Sequence, residues 1–124
     1  MTETRTAAVG LDDGIVVVRI HLGAVQTLED AKENLSAAIA ETGGTPRPLL
    51  VNLGAAQPIE ADARHHYTGQ VFKDAFLAYA MVVENSPLGR MIGNVYMRVA
   101  RHGIPAQLFT DESQAVQWLS QYRR

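Results

Sequence analysis

The sequence predicts an α/β fold, a small mostly parallel mixed sheet with flanking helices in the order ββαβαβαβα. Three observations carry this. Short apolar segments rich in β-branched residues alternate with segments of helical periodicity. An Asp12-Asp13-Gly14 turn signal joins the first two strands, so they pair as an antiparallel hairpin. From there on each strand is followed by a helix, and strand–helix–strand crossovers build parallel sheets.

The hairpin joins "TRTAAVGL" (Thr4 to Leu11) to "IVVVRIH" (Ile15 to His21). In the second strand Ile15, Val17, Arg19 and His21 face one way, and Val16, Val18 and Ile20 the other. Thr27 opens the first helix, with Asp30 three residues on, a capping box with Asp in place of Glu or Gln. Leu28, Ala31, Leu35, Ala38 and Ile39 share one face of it, and Gly43, Gly44 and Pro46 end it. "PLLVNL" (Pro48 to Leu53) is the third strand. A helix is expected from Pro58 to about Thr68, with Ile59, Ala63 and Tyr67 inward and Glu60 paired to Arg64.

"AFLAYAMVV" (Ala75 to Val83) is apolar at both alternating sets of positions, as a strand covered on both faces must be. A third helix runs from Ser86 to about Arg101, with Leu88, Ile92, Val95 and Val99 as its buried stripe. "AQLF" (Ala106 to Phe109) is the last strand. The last helix turns Ala115, Val116, Leu119 and Tyr122 inward, with Asp111 and Gln114 suited to its cap.

The 124 residues are expected to form one domain, residues 1–124. Such a length buries roughly two-thirds of its unfolded surface, so no disulfide or metal is needed for folding. The chain has no cysteine, which removes thiolate nucleophiles and Cys-based zinc sites. A net charge of -2 speaks against general nucleic-acid binding. No run approaches the ~18 apolar residues of a membrane span. Glu3 and Arg5 interrupt the start where a signal peptide would be apolar, so a cytoplasmic protein without membrane contact is expected.

"ADARHHY" (Ala61 to Tyr67), "ENSPLGRMIGNVYMRV" (Glu84 to Val99) and "IPAQLFTDESQAVQWL" (Ile104 to Leu119) carry a resemblance. With the element order, they resemble the STAS-like fold of bacterial anti-sigma-factor antagonists and transporter tails. The local match is nearest to small uncharacterised bacterial STAS-like proteins and spans about Pro48 to Tyr122. The resemblance implies a non-enzymatic regulatory module that binds partner proteins. In the better-known members a kinase controls binding through a Ser or Thr at the start of the helix after the third strand. The corresponding segment here, Gly54 to His66, contains no Ser, Thr or Tyr. The usual phosphorylation switch, which works by added negative charge, therefore has no acceptor in it.

"VVENSPLGRM" (Val82 to Met91) is the candidate ligand site. Ligands of open parallel sheets bind outside the carboxyl ends of the strands, where helix N-termini present free N–H groups. Asn52, Glu84, Asn85, Ser86 and Arg90 gather there, and a small anion is the ligand such a site would take. The same residues also read as an ordinary helix start, with Ser86 as cap and Pro87 at the first position.

On the outer side of the third helix lie Arg90, Asn94, Arg98 and Arg101, with Met97 among them, and Gly89 and Gly93 share a flank open to close approach. Met97, Arg98 and Arg101 form either a solvated basic face or the contact surface of a homodimer or another protein partner. His65 and His66 point about 100° apart on a helix, and Asp62–His66 has no third ligand nearby, so no metal is expected. No nucleophile motif or phosphate loop occurs, so neither an enzyme nor a cofactor is expected. Phe72, Phe76, Phe109 and Trp118 fall at core positions, where they pack or line an apolar pocket.

Overall fold

The computed structural model describes residues 2–54, 62, 66, 70–100 and 104–123, with the backbone alone at 70 and 95–100. Its strands are β1 (Thr2–Glu3), β2 (Ala7–Asp12), β3 (Ile15–Ile20), β4 (Arg47–Gly54), β5 (Phe76–Val83) and β6 (Ala106–Phe109). Its described helices are α1 (Leu28–Glu41), α2 (Gln70–Ala75), α3 (Pro87–Ala100) and α4 (Glu112–Ser120). The six strands form one mixed sheet in the order β1-β2-β3-β4-β5-β6. β1, β2 and β3 pair antiparallel, and β3 to β6 run parallel.

Asp13 and Gly14 make the β2–β3 turn with φ of 50° and 79°, and Asp12 lies opposite Ile15. Two positive φ values in a two-residue loop match the right-handed twist of a hairpin, and Asp-Gly supplies them at low strain. β1 has no counterpart among the expected strands. It pairs Thr2 with Val9 and Glu3 with Ala8, which extends the sheet by two residues at one edge.

The strands are added in sequence order, so crossovers of one hand carry their helices to one face. Ala31, Leu35 and Ala38 of α1, Phe72 of α2 and Ile92 of α3 all join one core, against Val16, Val18, Leu49, Tyr79 and Met81. The other face is covered by α4. There Ala115 and Leu119 meet Ile15, Val17, Leu50, Ala78, Ala80 and Val82. Alanines on both partners let the helix come near the sheet, and Trp118 fills the side, its ring 5.8 Å from Phe109 and 5.2 Å from Tyr122. The alternation expected for β3 and the two-sided burial expected for β5 are both present.

Several expectations need correction. Leu88, expected in the buried stripe of α3, is 57% exposed. Among the described side chains of α3, those turned to the sheet are Gly89, Ile92 and Gly93. A Cβ on Gly93 would stand 2.6 Å from Leu108 Cδ1 and 3.0 Å from Val83 Cγ1, so only bare backbone fits at this approach. The flank of Gly89 and Gly93 is thus filled by the protein's own β5, β6 and preceding loop, and this rotation turns Leu88 and Met91 outward. Val116, expected inward, is 38% exposed, because Ala115 and Leu119 alone centre α4 on the sheet. α2 is a helix that the periodicity does not predict; its Phe72 ring packs 5.1 Å from Phe76 and 5.5 Å from Tyr79. Asp62 and His66 have helical backbone, and the rest of the helix expected from Pro58 to Thr68 lies outside the described residues. So do the side chains of Val95 and Val99.

Candidate functional site

At the carboxyl end of β4 the ladder slips. Asn52 pairs with Val82 but Gly54 pairs with Val83, leaving Leu53 as the extra residue of a bulge. A bulge bends the strand end and re-aims the chain beyond it. Gly54 takes a φ of 56°, a left-handed conformation that glycine adopts without strain. Its N–H donates to Asn52 Oδ1 at 2.8 Å, and its carbonyl accepts from the Glu84 N–H at 3.0 Å. The two strand ends are therefore stitched together through Asn52, Gly54 and Glu84.

The chain then enters α3. Ser86 Oγ accepts the Gly89 N–H at 3.0 Å, and the Ser86 carbonyl accepts the Arg90 N–H at 3.0 Å. Pro87 holds the first helical position, where a missing N–H costs nothing. The Glu84 carbonyl folds so near Gly89 that a Cβ there would lie 2.3 Å from its oxygen. Ser86 Oγ is 3.4 Å from Glu84 Oε2, and Arg90 Nη1 donates to Asn85 Oδ1 at 2.7 Å. The structure thus brings Glu84, Asn85, Ser86 and Arg90 into one arrangement, with Asn52 joined to it through backbone. Each polar side chain has a partner inside the arrangement, and the Glu84 carboxylate supplies negative charge beside the helix start.

Beside the exposed Glu84, Asn85 and Arg90, this edge also leaves apolar side chains to solvent. Leu88 is 57% and Met91 58% exposed on α3. On the β3–α1 loop, at the carboxyl end of β3, Leu22 is 86% and Val25 51% exposed. Sequence periodicity hid Leu88 by assigning it to the core, and Leu22 and Val25 stand outside any periodic segment. The side chains of Met97 and Arg98, and all of Arg101, lie outside the described residues.

The start of α1 is built differently. Thr27 and Asp30 form the expected capping box. Asp30 Oδ2 also accepts from the Thr27 N–H at 2.9 Å and hydroxyl at 3.0 Å. Arg5 grips both carboxylate oxygens, with Nε 2.7 Å from Oδ1 and Nη2 on Oδ2, while Nη2 reaches the Val25 carbonyl at 3.1 Å. The Arg5 hydrogen bond holds the Asp30 carboxyl well below the ordinary range; burial opposes this, and the Thr27 N–H and hydroxyl add to it. The same bond raises Arg5. Below it, buried Asn34 donates to Thr6 Oγ1 at 2.8 Å and Gln26 Oε1 at 3.3 Å, and accepts from Thr4. Sequence spacing finds Thr27 and Asp30 but not Arg5, which lies 25 residues from its partner with no local pattern linking them.

A cavity of about 30 Å³ lies between α1 and the sheet, lined by Leu35, Ala38, Leu49, Val51, Phe72 and others, with Gln26 and Asn34 at its wall. That is room for roughly one or two waters, not a cofactor. A wider groove of about 290 Å³ opens at the opposite edge, between Ile39 of α1 with Thr42 just beyond it and Val71 and Asp74 of α2. Among the described residues no three His, Asp or Glu side chains gather as a metal site, and no helix is long and apolar enough to cross a membrane.

A family model described as a domain of unknown function, DUF7793, matches residues 9–123. The chain belongs to that family. Neither the curated proteins nor the solved structures yield a match to the chain.

Proposed function

We propose that this member of the DUF7793 family is a non-enzymatic protein-interaction and regulatory module of STAS-like kind, with its contact surface at the carboxyl edge of the sheet. The observation that carries the reading is the character of that edge. Its polar groups bond one another, while Leu22, Val25, Leu88 and Met91 stand exposed. Exposed apolar groups that lie together and are rimmed by polar ones mark contact surfaces. The strand and helix order supports the STAS-like assignment, and the segment from Gly54 to His66 lacks the hydroxyl that the usual Ser/Thr phosphorylation switch needs.

The test is co-purification from the host with tagged wild type, Leu22→Asp and Met91→Asp. The reading expects a stoichiometric protein complex that both variants lose while their melting temperatures hold. Complexes that survive both substitutions would contradict it. The second reading is an anion sensor at Ser86 and Arg90, favoured by the exposure of Arg90 at the first turn of α3. It expects a thermal shift with inorganic phosphate, absent in Arg90→Ala, because ligand binding to the folded state alone raises stability.

A further inference from the structure

The two edges of the sheet are finished differently. At one edge β1 covers only Ala8 and Val9 of β2, and Glu3, Arg5, Asp12 and Asp13 put charge along it. Short, charged edges resist pairing with other chains. The other edge is β6, "AQLF", with no charge and no proline within the strand. No described strand pairs with its outer side. Ala106 and Leu108 are half-buried against one core and Phe109 against the other, so apolar surface continues to the rim on both faces.

The ladder fixes which backbone groups are left over. The Tyr79 N–H donates to the Pro105 carbonyl at 2.8 Å, and Tyr79 lies opposite Ala106. In a parallel pair the two residues that flank the opposite position make the bonds, so Pro105 and Gln107 turn their backbone groups to β5. Ala106 and Leu108 turn theirs outward. If two such edges meet antiparallel with Gln107 at the centre, Ala106 lies opposite Leu108 of the partner subunit. Each such pair exchanges two N–H···O=C bonds, giving about four in all. Gln107 then faces its own copy with side chains close together, and it is exposed and uncharged, as a residue meeting itself on an axis must be.

We propose that two copies of this chain associate through β6, antiparallel about a twofold axis at Gln107, to join two six-stranded sheets into one. The proposal rests on the interaction reading and puts self-association on an edge distinct from Leu22 and Met91. A four-residue edge is smaller than the roughly 800 Å² per partner of a stable interface, so the dimer is weak and forms with rising concentration.

Sedimentation velocity across micromolar to millimolar concentrations tests this, using wild type, Gln107→Lys and Gln107→Glu. Wild type is expected to move from 13.5 kDa towards twice that mass. Each variant alone is expected to dimerise roughly tenfold more weakly or worse, because like charges directly opposite on paired strands repel. An equimolar mixture of the two variants is expected to regain the dimer. Both substitutions fall on an exposed side chain, and an unchanged melting temperature checks the fold. A wild type that stays monomeric throughout overturns the proposal. So does a dimer that both variants keep, or a mixture that fails to recover. None of these outcomes touches the Leu22 and Met91 variants, on which the interaction reading stands or falls.

Discussion

Two helices begin at the same carboxyl edge of the sheet, and they are finished in different ways. The start of α1 is closed: Asp30 and Asn34 are buried, and Arg5 is drawn across from the β1–β2 connection to bond the Asp30 carboxylate. The start of α3 is open: Ser86 caps it, Arg90 bonds Asn85 in solvent, and Leu88 and Met91 are uncovered. Both satisfy the unpaired N–H groups of a helix start. The first does so with a carboxylate held by long-range contacts, so it fixes the N-terminal segment to the body of the protein. The second does so locally, which leaves its outer surface uncommitted. The proposed contact surface takes Leu88 and Met91 from the second.

The largest effect is expected at the start of α1. Asp30→Ala removes a helix-cap partner and a charge-assisted pair from a buried position. A loss of about 2–4 kcal/mol is expected in urea unfolding. The same carboxylate sets an acid limit. Its folded-state pKa is depressed, so its contribution is full above the unfolded value, near pH 4, and is lost as pH falls below it. The gap in melting temperature between wild type and Asp30→Ala should therefore narrow below about pH 4 and stay constant from pH 6 to 8.

At the α3 start the effects are smaller. Gly89→Ala forces a Cβ against the Glu84 carbonyl and should cost about 1–3 kcal/mol as overpacking does. Ser86→Ala removes one cap bond and should cost about 1 kcal/mol. Arg90→Ala should change unfolding by no more than about 0.5 kcal/mol, as an exposed side chain bonded to Asn85 in solvent. An Arg90→Ala loss as large as that of Asp30→Ala would erase the distinction between the two sites.

Local signals carried most of the fold. The Asp13-Gly14 turn, the Thr27–Asp30 box, the apolar two-sided β5 and the Asp111 cap each act within a few residues, and each stands where periodicity and turn chemistry put it. The failures share a cause. The rotation of α3 is set by how near Gly93 comes to Leu108, a contact between elements that no helical periodicity encodes. A pattern of apolar residues put Leu88 inside, whereas two glycines mark the true inner face. The pull of Arg5 on Asp30 and the tie of Arg123 to Asp13 are likewise products of the folded arrangement. At the candidate site the sequence placed Ser86 and Arg90 at a helix start but not the bulge at Leu53 or the pairing of Arg90 with Asn85, which depend on where β4 and β5 end relative to each other.

Native mass spectrometry of the chain purified gently from its host tests whether the carboxyl edge is a protein contact surface. A contact surface there gives 13.5 kDa accompanied by the mass of a second polypeptide, lost in Met91→Asp. A chain that carries only a small adduct, lost in Arg90→Ala and kept in Met91→Asp, would contradict it and assign this edge to a ligand instead.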